Sequence, residues 1–228
     1  MTSSRNLWPT RSNALMSRSS SFSSWRASIA VCLALALSLF LSVALHSEGA
    51  DPAAARVNIL YDALLQTMKQ AKQLGLRGRY DKLAPVLAKT YDLPLMSRIA
   101  VGQSWEALSA PQRQSIVNAF TRMTTATYAT RFDDFSGETF EVLQTIDQPN
   151  GDKLVKTRIV QSDGKPVALN YLVRDTGSDW RVIDIYLNGT ISELASRRAE
   201  FGAILKSGGP DALIASLNKQ GDKLLAGS

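Results

Sequence analysis

The stretch from Gly137 to Asn188 narrows the possible folds more than any other part of the chain. Four segments of strand length follow one another there: Phe140 to Ile146, Leu154 to Gln161, Val167 to Arg174 and Trp180 to Leu187. Turn chemistry separates them, namely Asn150-Gly151, Asp163-Gly164 and the cluster Thr176-Gly177-Ser178-Asp179. Asn-Gly and Asp-Gly favour the primed turns of β-hairpins, so the pattern predicts a four-stranded antiparallel meander. Side chains alternate between the two faces of a strand. One face then collects Val155, Thr157, Ile159, Val167, Leu169, Tyr171, Val173, Ile183, Ile185 and Leu187. The other is mostly polar (Lys156, Arg158, Asn170, Arg174, Asp184), with Trp180, Val182 and Tyr186 as exceptions. The apolar face must pack under something.

Helical patterns on both sides of the meander supply the cover. Asp51-Pro52 opens a helix bearing Val57, Leu60, Leu64 and Met68 at three- and four-residue spacings, with Lys69 and Lys72 before Gly75. A second helix is expected from Tyr80 to Thr90, with Leu83 and Leu87 inward. Asp92-Leu93-Pro94 starts a third, the aspartate as cap and the proline in the first turn. Ser109-Ala110-Pro111-Gln112 has the form of a capping box. Behind it Ile116, Val117, Phe120, Met123, Thr127, Tyr128 and Phe132 make a wide aromatic stripe. After the strands, Ser192 caps a helix through Leu194, Phe201, Ile204 and Leu205 to Gly208-Gly209. Pro210-Asp211 starts a last one with Leu213, Ile214 and Leu217 inward, and a frayed tail is expected over 221–228. Helices, then strands, then helices indicate an α+β fold. At 228 residues the chain holds one domain of ordinary size, over 51–220.

Residues 1–50 read differently. Arg5, Arg11, Arg18 and Arg26 precede an uncharged apolar run from Ala27 to Leu45, and small residues follow. This is the pattern of a secretory signal. Cleavage is acceptable after Ala44 or after Gly49, but the run also approaches the roughly 20 residues that span a bilayer, so an uncleaved anchor is the alternative. With basic residues only on the N-terminal side, residue 51 onward is expected outside the inner membrane in either case. Cys32 and His46, the sole cysteine and histidine, lie in or beside this segment. A mature domain starting beyond residue 46 has no disulfide, no thiolate nucleophile and no imidazole base or metal ligand. With Arg5, Arg11, Arg18, Arg26 and Glu48 set aside, residues 51–228 keep 22 basic against 19 acidic residues, a net +3. No basic block suited to nucleic acid remains.

Catalytic constellations are missing from the pattern. There is no G-x-S-x-G elbow, Gly-rich phosphate loop or zinc spacing. Ser216-Leu217-Asn218-Lys219 matches S-x-x-K without partner motifs. Asp133-Asp134 reads as a solvated helix end, since neighbours on a helix point about 100° apart. Asn188-Gly189-Thr190 reads as a turn. No catalytic residue, metal or cofactor is expected.

Several motifs follow one another in a distinctive order: Tyr91-Asp92-Leu93-Pro94-Leu95-Met96, Gly102-x-x-Trp105, Ser109-x-x-Gln112-Arg113, Phe120 and Thr127-Tyr128. They continue as Pro166-Val167, Tyr171, Trp180-Arg181-Val182-x-Asp184, Asn188-Gly189, Phe201, Leu205 and Gly208-Gly209 with Leu213. Their order and spacing resemble the MlaC family of periplasmic lipid-binding proteins. The resemblance covers roughly residues 55 to 220. Phe135-Ser136-Gly137-Glu138-x-Phe140-Glu141-Val142 and Ile191-Ser192-x-Leu194-Ala195-x-Arg197-Arg198 are similar to its hopanoid-biosynthesis branch, HpnM. The resemblance implies an NTF2-like cone whose apolar cavity takes acyl chains. It also implies a periplasmic monomer that carries phospholipid or a hopanoid between the two membranes. Its partners would be an inner-membrane ABC-type transporter and an outer-membrane lipoprotein complex. Each methylene withdrawn from water is worth about 0.8 kcal/mol, so a free diacyl lipid crossing water faces tens of kcal/mol and a carrier lowers that barrier without chemistry.

On this reading Leu95, Ile99, Phe120, Met123 and Tyr128 line the cavity from the helices. Val155, Ile159, Leu169, Tyr171, Val173, Ile183 and Ile185 line it from the sheet. Two rivals stand beside the carrier. One is a small-molecule enzyme on the same cone, with Asp184 or Glu106 as base. The other is a membrane-anchored adaptor in hopanoid biosynthesis that keeps the apolar segment.

Overall fold

The computed structural model describes residues 51–227. The export signal expected over 1–50, with its cleavage sites, Cys32 and His46, lies outside the described residues. Among the described residues five α-helices and five strands occur. They run α1 (Pro52–Lys69), α2 (Ala71–Thr90), α3 (Leu93–Val101), a 3₁₀ turn (Gly102–Ala107), α4 (Ala110–Arg131), β1 (Thr139–Asp147), β2 (Lys153–Val160), β3 (Pro166–Asp175), β4 (Trp180–Leu187), β5 (Ile191–Ser192) and α5 (Glu193–Leu225). None of these helices is long and apolar enough to cross a membrane.

The helix starts expected at Asp51, Asp92, Ser109 and Ser192 are made by those residues as caps. The Asp51 carboxylate accepts from the backbone N–H of Ala53 at 2.9 Å and of Ala54 at 3.2 Å, and Asp92 accepts from Leu95 N–H at 3.0 Å. Ser109 and Gln112 form the reciprocal capping box, and Ser192 accepts from Ala195 N–H at 2.9 Å. Each satisfies donors that the first turn of a helix cannot pair internally. Helix ends differ more. α1 stops at Lys69 rather than near Gly75, and α2 begins at Ala71, well before the expected Tyr80, and bends at Gly75. Buried Arg79 holds that bend, donating from Nε to Ala129 O at 2.8 Å and from Nη1 to Ala71 O at 3.2 Å. α5 is two helices across a kink at Gly209, whose φ of 71° admits glycine far more readily than other residues, and Pro210 then opens the second half. That half continues to Leu225 instead of fraying at Gly221. Arg122 of α4 donates to Asn218 O at 3.3 Å and to Asp222 at 2.6 Å, fastening the last turns.

The sheet is an antiparallel meander in the order β1-β2-β3-β4-β5. The first two connections are not primed turns. Gln148 N–H donates to Asp152 O and Gln161 N–H to Lys165 O, closing three-residue loops in which Gly151 (φ 84°) and Gly164 (φ 81°) alone take positive φ. The primed geometry occurs at Asn188-Gly189, where both φ values are positive (51° and 78°). That turn sends the chain back as β5, a fifth strand beyond the four expected.

A bulge changes the predicted face of β4. Val173 pairs with Val182 and Leu172 with Asp184, so Ile183 is the extra residue. Directly opposed residues share a face. Val182, fully buried, therefore joins Ile185 and Leu187 under the helices, whereas Ile183, although only 2% exposed, is not part of that core cluster. The free edge of β4 at Val182 is met by Tyr91 in a parallel bridge, with Asp92 N–H donating to Val182 O at 2.9 Å.

Helix α1 lies directly on the sheet, its Val57, Leu60 and Leu64 fully buried in a core with Val155, Tyr171 and Val173. Helix α4 stands off the sheet. Its close backbone neighbours are α2, α3 and α5, and Phe120 meets Phe201 of α5 edge-on at 6.2 Å. The space left between α4 and the β3–β4 end of the sheet holds the site.

Candidate functional site

A cavity of about 110 Å³ fills this space. Helix α4 supplies Phe120, Met123, Thr124, Thr127 and Tyr128, which share one side at helical spacing. The sheet supplies Leu169, Ile185 and Leu187, and Tyr91 and Met96 close the wall between. The deepest of these side chains (Tyr91, Met96, Phe120, Met123) are at most 3% exposed. Charge enters only through Arg131 at the end of α4 and through Glu193 and Arg197 in the first turns of α5. These three are exposed or half-exposed and mark the side open to solvent. Arg197 is held between Glu193 at 2.9 Å and Glu200 at 3.0 Å.

Aromatic rings form a continuous band beneath the opening. Tyr128 stacks on Phe132 at 5.5 Å, Phe132 reaches Phe140 at 6.2 Å, and Phe140 lies 4.9 Å from Tyr61. The hydroxyls of Tyr91 and Tyr128 hydrogen-bond each other, as do those of Tyr61 and Thr157. Burial disfavours the phenolate and raises every one of these tyrosines, Tyr61 to about 12 and Tyr91, Tyr128 and Tyr171 well above the usual phenol value. The Tyr171 hydroxyl, wholly buried behind the wall, has no hydrogen-bond partner among the described residues.

Of the residues expected to line a cavity, Phe120, Met123, Tyr128, Leu169 and Ile185 do so. Val155, Tyr171 and Val173 are instead closed into the solid core under α1. Ile159 lies on a separate open groove with Phe140 and Val167. Leu95 and Ile99 are half-buried on α3, whose wall residue is Met96, and Ile183 is the bulge residue. Tyr91, Met96, Thr124, Thr127, Arg131, Phe132, Leu187, Glu193 and Arg197 also line the cavity and were not among the residues expected there. Arg131 follows Thr127 and Tyr128 at four- and three-residue spacing on the same stripe, which was the signal available for it.

The two carboxylates that could serve a rival enzyme are occupied. Asp184 accepts from Ile185 N–H at 2.7 Å, Leu194 N–H at 3.1 Å and the Ser192 hydroxyl at 2.6 Å, so it caps the start of α5. Glu106 is exposed and paired with Arg98 at 3.1 Å and Arg113 at 3.6 Å. Asp133 and Asp134 are exposed past the end of α4. Among the described residues no group of three or more His, Cys, Asp or Glu could hold a metal ion.

A family model described as "MlaC protein" matches residues 59–219, well over half of the chain. The chain belongs to the MlaC family. A solved structure similar to this MlaC chain is a phospholipid-binding protein from Ralstonia solanacearum in complex with a phospholipid. It is 23% identical, the match covers 76% of this chain and 99% of that one, and the TM-score is 0.68. At that identity the likeness establishes the α+β fold. No curated protein is significantly similar in sequence.

Proposed function

We propose that this protein is a phospholipid carrier of the periplasm, exported by residues 1–50, that shuttles lipid between inner and outer membranes without catalysing a reaction. The observation that carries the reading is the cavity between α4 and the sheet, apolar along its walls and charged only at its open side. That is what an amphipathic lipid needs: apolar contact for acyl chains and water for the head group. The phospholipid held by the Ralstonia solanacearum neighbour on the same fold supports it.

The cavity of about 110 Å³ is small beside the roughly 300–1,000 Å³ of pockets that enclose drug-sized ligands. Loading therefore parts α4 from the sheet, and the apolar surface so opened is covered again by the acyl chains. A lipid that supplies ten or more buried methylenes offsets the opening at about 0.8 kcal/mol each. The carrier would act as a monomer, receiving or delivering lipid at an inner-membrane ABC-type transporter and an outer-membrane lipoprotein complex. The motifs around Phe135 and Ile191 keep a hopanoid as the alternative cargo.

The full chain, produced in a double-membrane bacterium and purified from the periplasm, should yield one phospholipid per protein by mass spectrometry of its extract. A polycyclic lipid instead would assign it to the hopanoid branch. Protein that is empty and takes up no lipid from vesicles would overturn the carrier reading, and an intact N-terminus in membrane fractions would favour an anchored adaptor.

A further inference from the structure

We infer that Arg131 is the head-group anchor of this cavity and that it selects lipids bearing a phosphate over uncharged lipids of the same apolar bulk. The inference rests on the carrier reading. Its starting point is a contrast within the molecule. Among the described residues every other arginine side chain is held by a carboxylate or a backbone carbonyl. Arg131 makes neither kind of bond there, although Asp133, Asp134 and Glu138 line the same outer groove. Its guanidinium is exposed and borders both that groove and the cavity.

A basic residue in the last turn of a helix interacts favourably with the helix dipole, and that accounts for a positive charge at this place. It does not account for the position on the rim of an otherwise apolar cavity, directly after the Thr127–Tyr128 wall. Asp133, Asp134 and Glu138 lie on the groove side, and the one carboxylate on the cavity, Glu193, is paired with Arg197, so an anion is favoured on the cavity side. There Arg197 adds a second guanidinium, and Glu193 is already engaged with it. A free, planar guanidinium meets a phosphate through two parallel N–H···O bonds, which a neutral polycyclic lipid or a diacylglycerol cannot accept in that form. The site therefore fits a glycerophospholipid whose chains enter between α4 and Leu169 and whose phosphate stays at the rim.

The test uses full-length exported protein, stripped of lipid and offered dioleoylphosphatidylethanolamine or dioleoylglycerol in neutral detergent micelles, with retained lipid counted by mass spectrometry. Wild type should prefer the phospholipid by about tenfold or more, the scale of one charge-assisted hydrogen-bond pair. Arg131→Ala should lose that preference and Arg131→Lys keep part of it. Lys206→Ala, which removes an exposed charge away from the cavity, should retain it. Circular dichroism should show all three variants folded, since Arg131 and Lys206 are both exposed. Unchanged preference in Arg131→Ala overturns the inference. So does a wild type that loads both lipids equally, although the carrier reading then stands. Inorganic phosphate that binds at Arg131 and leaves lipid selection untouched by its mutation would also overturn it, as a site for the free ion. Retention of neither lipid by wild type brings down the carrier reading and this inference with it.

Discussion

Tyr91 and Tyr128 hydrogen-bond through their hydroxyls, joining the end of α2 to the middle of the α4 stripe on the wall of the cavity. The Tyr91 ring is almost wholly enclosed, and that of Tyr128 is half-buried on the cavity wall. Tyr128→Phe should leave the Tyr91 hydroxyl buried and unpaired, at about 1–3 kcal/mol of stability. Tyr91→Phe/Tyr128→Phe together should cost less than the sum of the single changes, because no orphaned group remains. A double-mutant cycle by urea denaturation measures the coupling; strict additivity would mean that the pair contributes nothing.

Leu169 and Tyr171 sit two residues apart on one face of β3, yet they test different things. Leu169 is half-buried on the cavity wall, whereas Tyr171 is wholly buried in the solid core. Leu169→Glu should give a folded protein, weaker by about 1–2 kcal/mol, that retains no lipid because a carboxylate now faces the acyl chains. Tyr171→Glu should fail to fold stably, a loss above about 4 kcal/mol. Thermal melting and lipid retention together separate the two. Full loading of folded Leu169→Glu would remove Leu169 from the site.

Parts of this arrangement are legible in the sequence because local chemistry alone decides them. The caps at Asp51, Asp92, Ser109 and Ser192 and the four strand-length segments need no knowledge of what packs where. The wall is less legible for identifiable reasons. Leu93-Pro94-Leu95-Met96 offers apolar side chains at every phase of a short helix, so nothing local selects Met96 over Leu95. Val182 and Ile183 are both apolar and β-branched, so the pattern reads equally well in either register, and only the pairing with β3 reveals the bulge. Val155 and Val173 are suitable wall residues, but α1 covers them, which is a tertiary fact. Arg131 is masked by its charge: a polar residue on an apolar stripe reads as the stripe's end.

Asp184 gives a sharp contrast between a structural carboxylate and a catalytic one. Its oxygens accept from two backbone N–H groups and from Ser192, at the junction of β4 with α5. Asp184→Ala should strand the buried Leu194 N–H and weaken the start of α5, costing about 2–4 kcal/mol. Lipid retained per folded molecule should not change. Denaturant midpoints check the first statement and mass spectrometry of the folded fraction the second. A stable variant that lost a turnover shown by the wild type would instead favour the enzyme reading.

Acid stability should depend on Asp152. Arg174 donates to its two oxygens from Nε and Nη2, each at 2.7 Å, and Asn150 adds a third bond at 2.8 Å. The Arg174 guanidinium holds the carboxyl below the usual aspartate range, with burial acting against it. A pKa depressed on folding means that the unfolded chain binds the proton more readily. The stabilisation is therefore complete above the unfolded value, about 3.9, and is lost as the pH falls below it through the lower folded value. Asp152→Asn, which keeps the shape but not the charge, should be less stable than wild type at neutral pH. The gap should narrow steadily below about pH 4, as wild type loses what the variant never had. Urea denaturation across that range decides it: a gap of constant size would mean that the charge of Asp152, as opposed to its hydrogen bonds, adds nothing to the hold between β2 and β3.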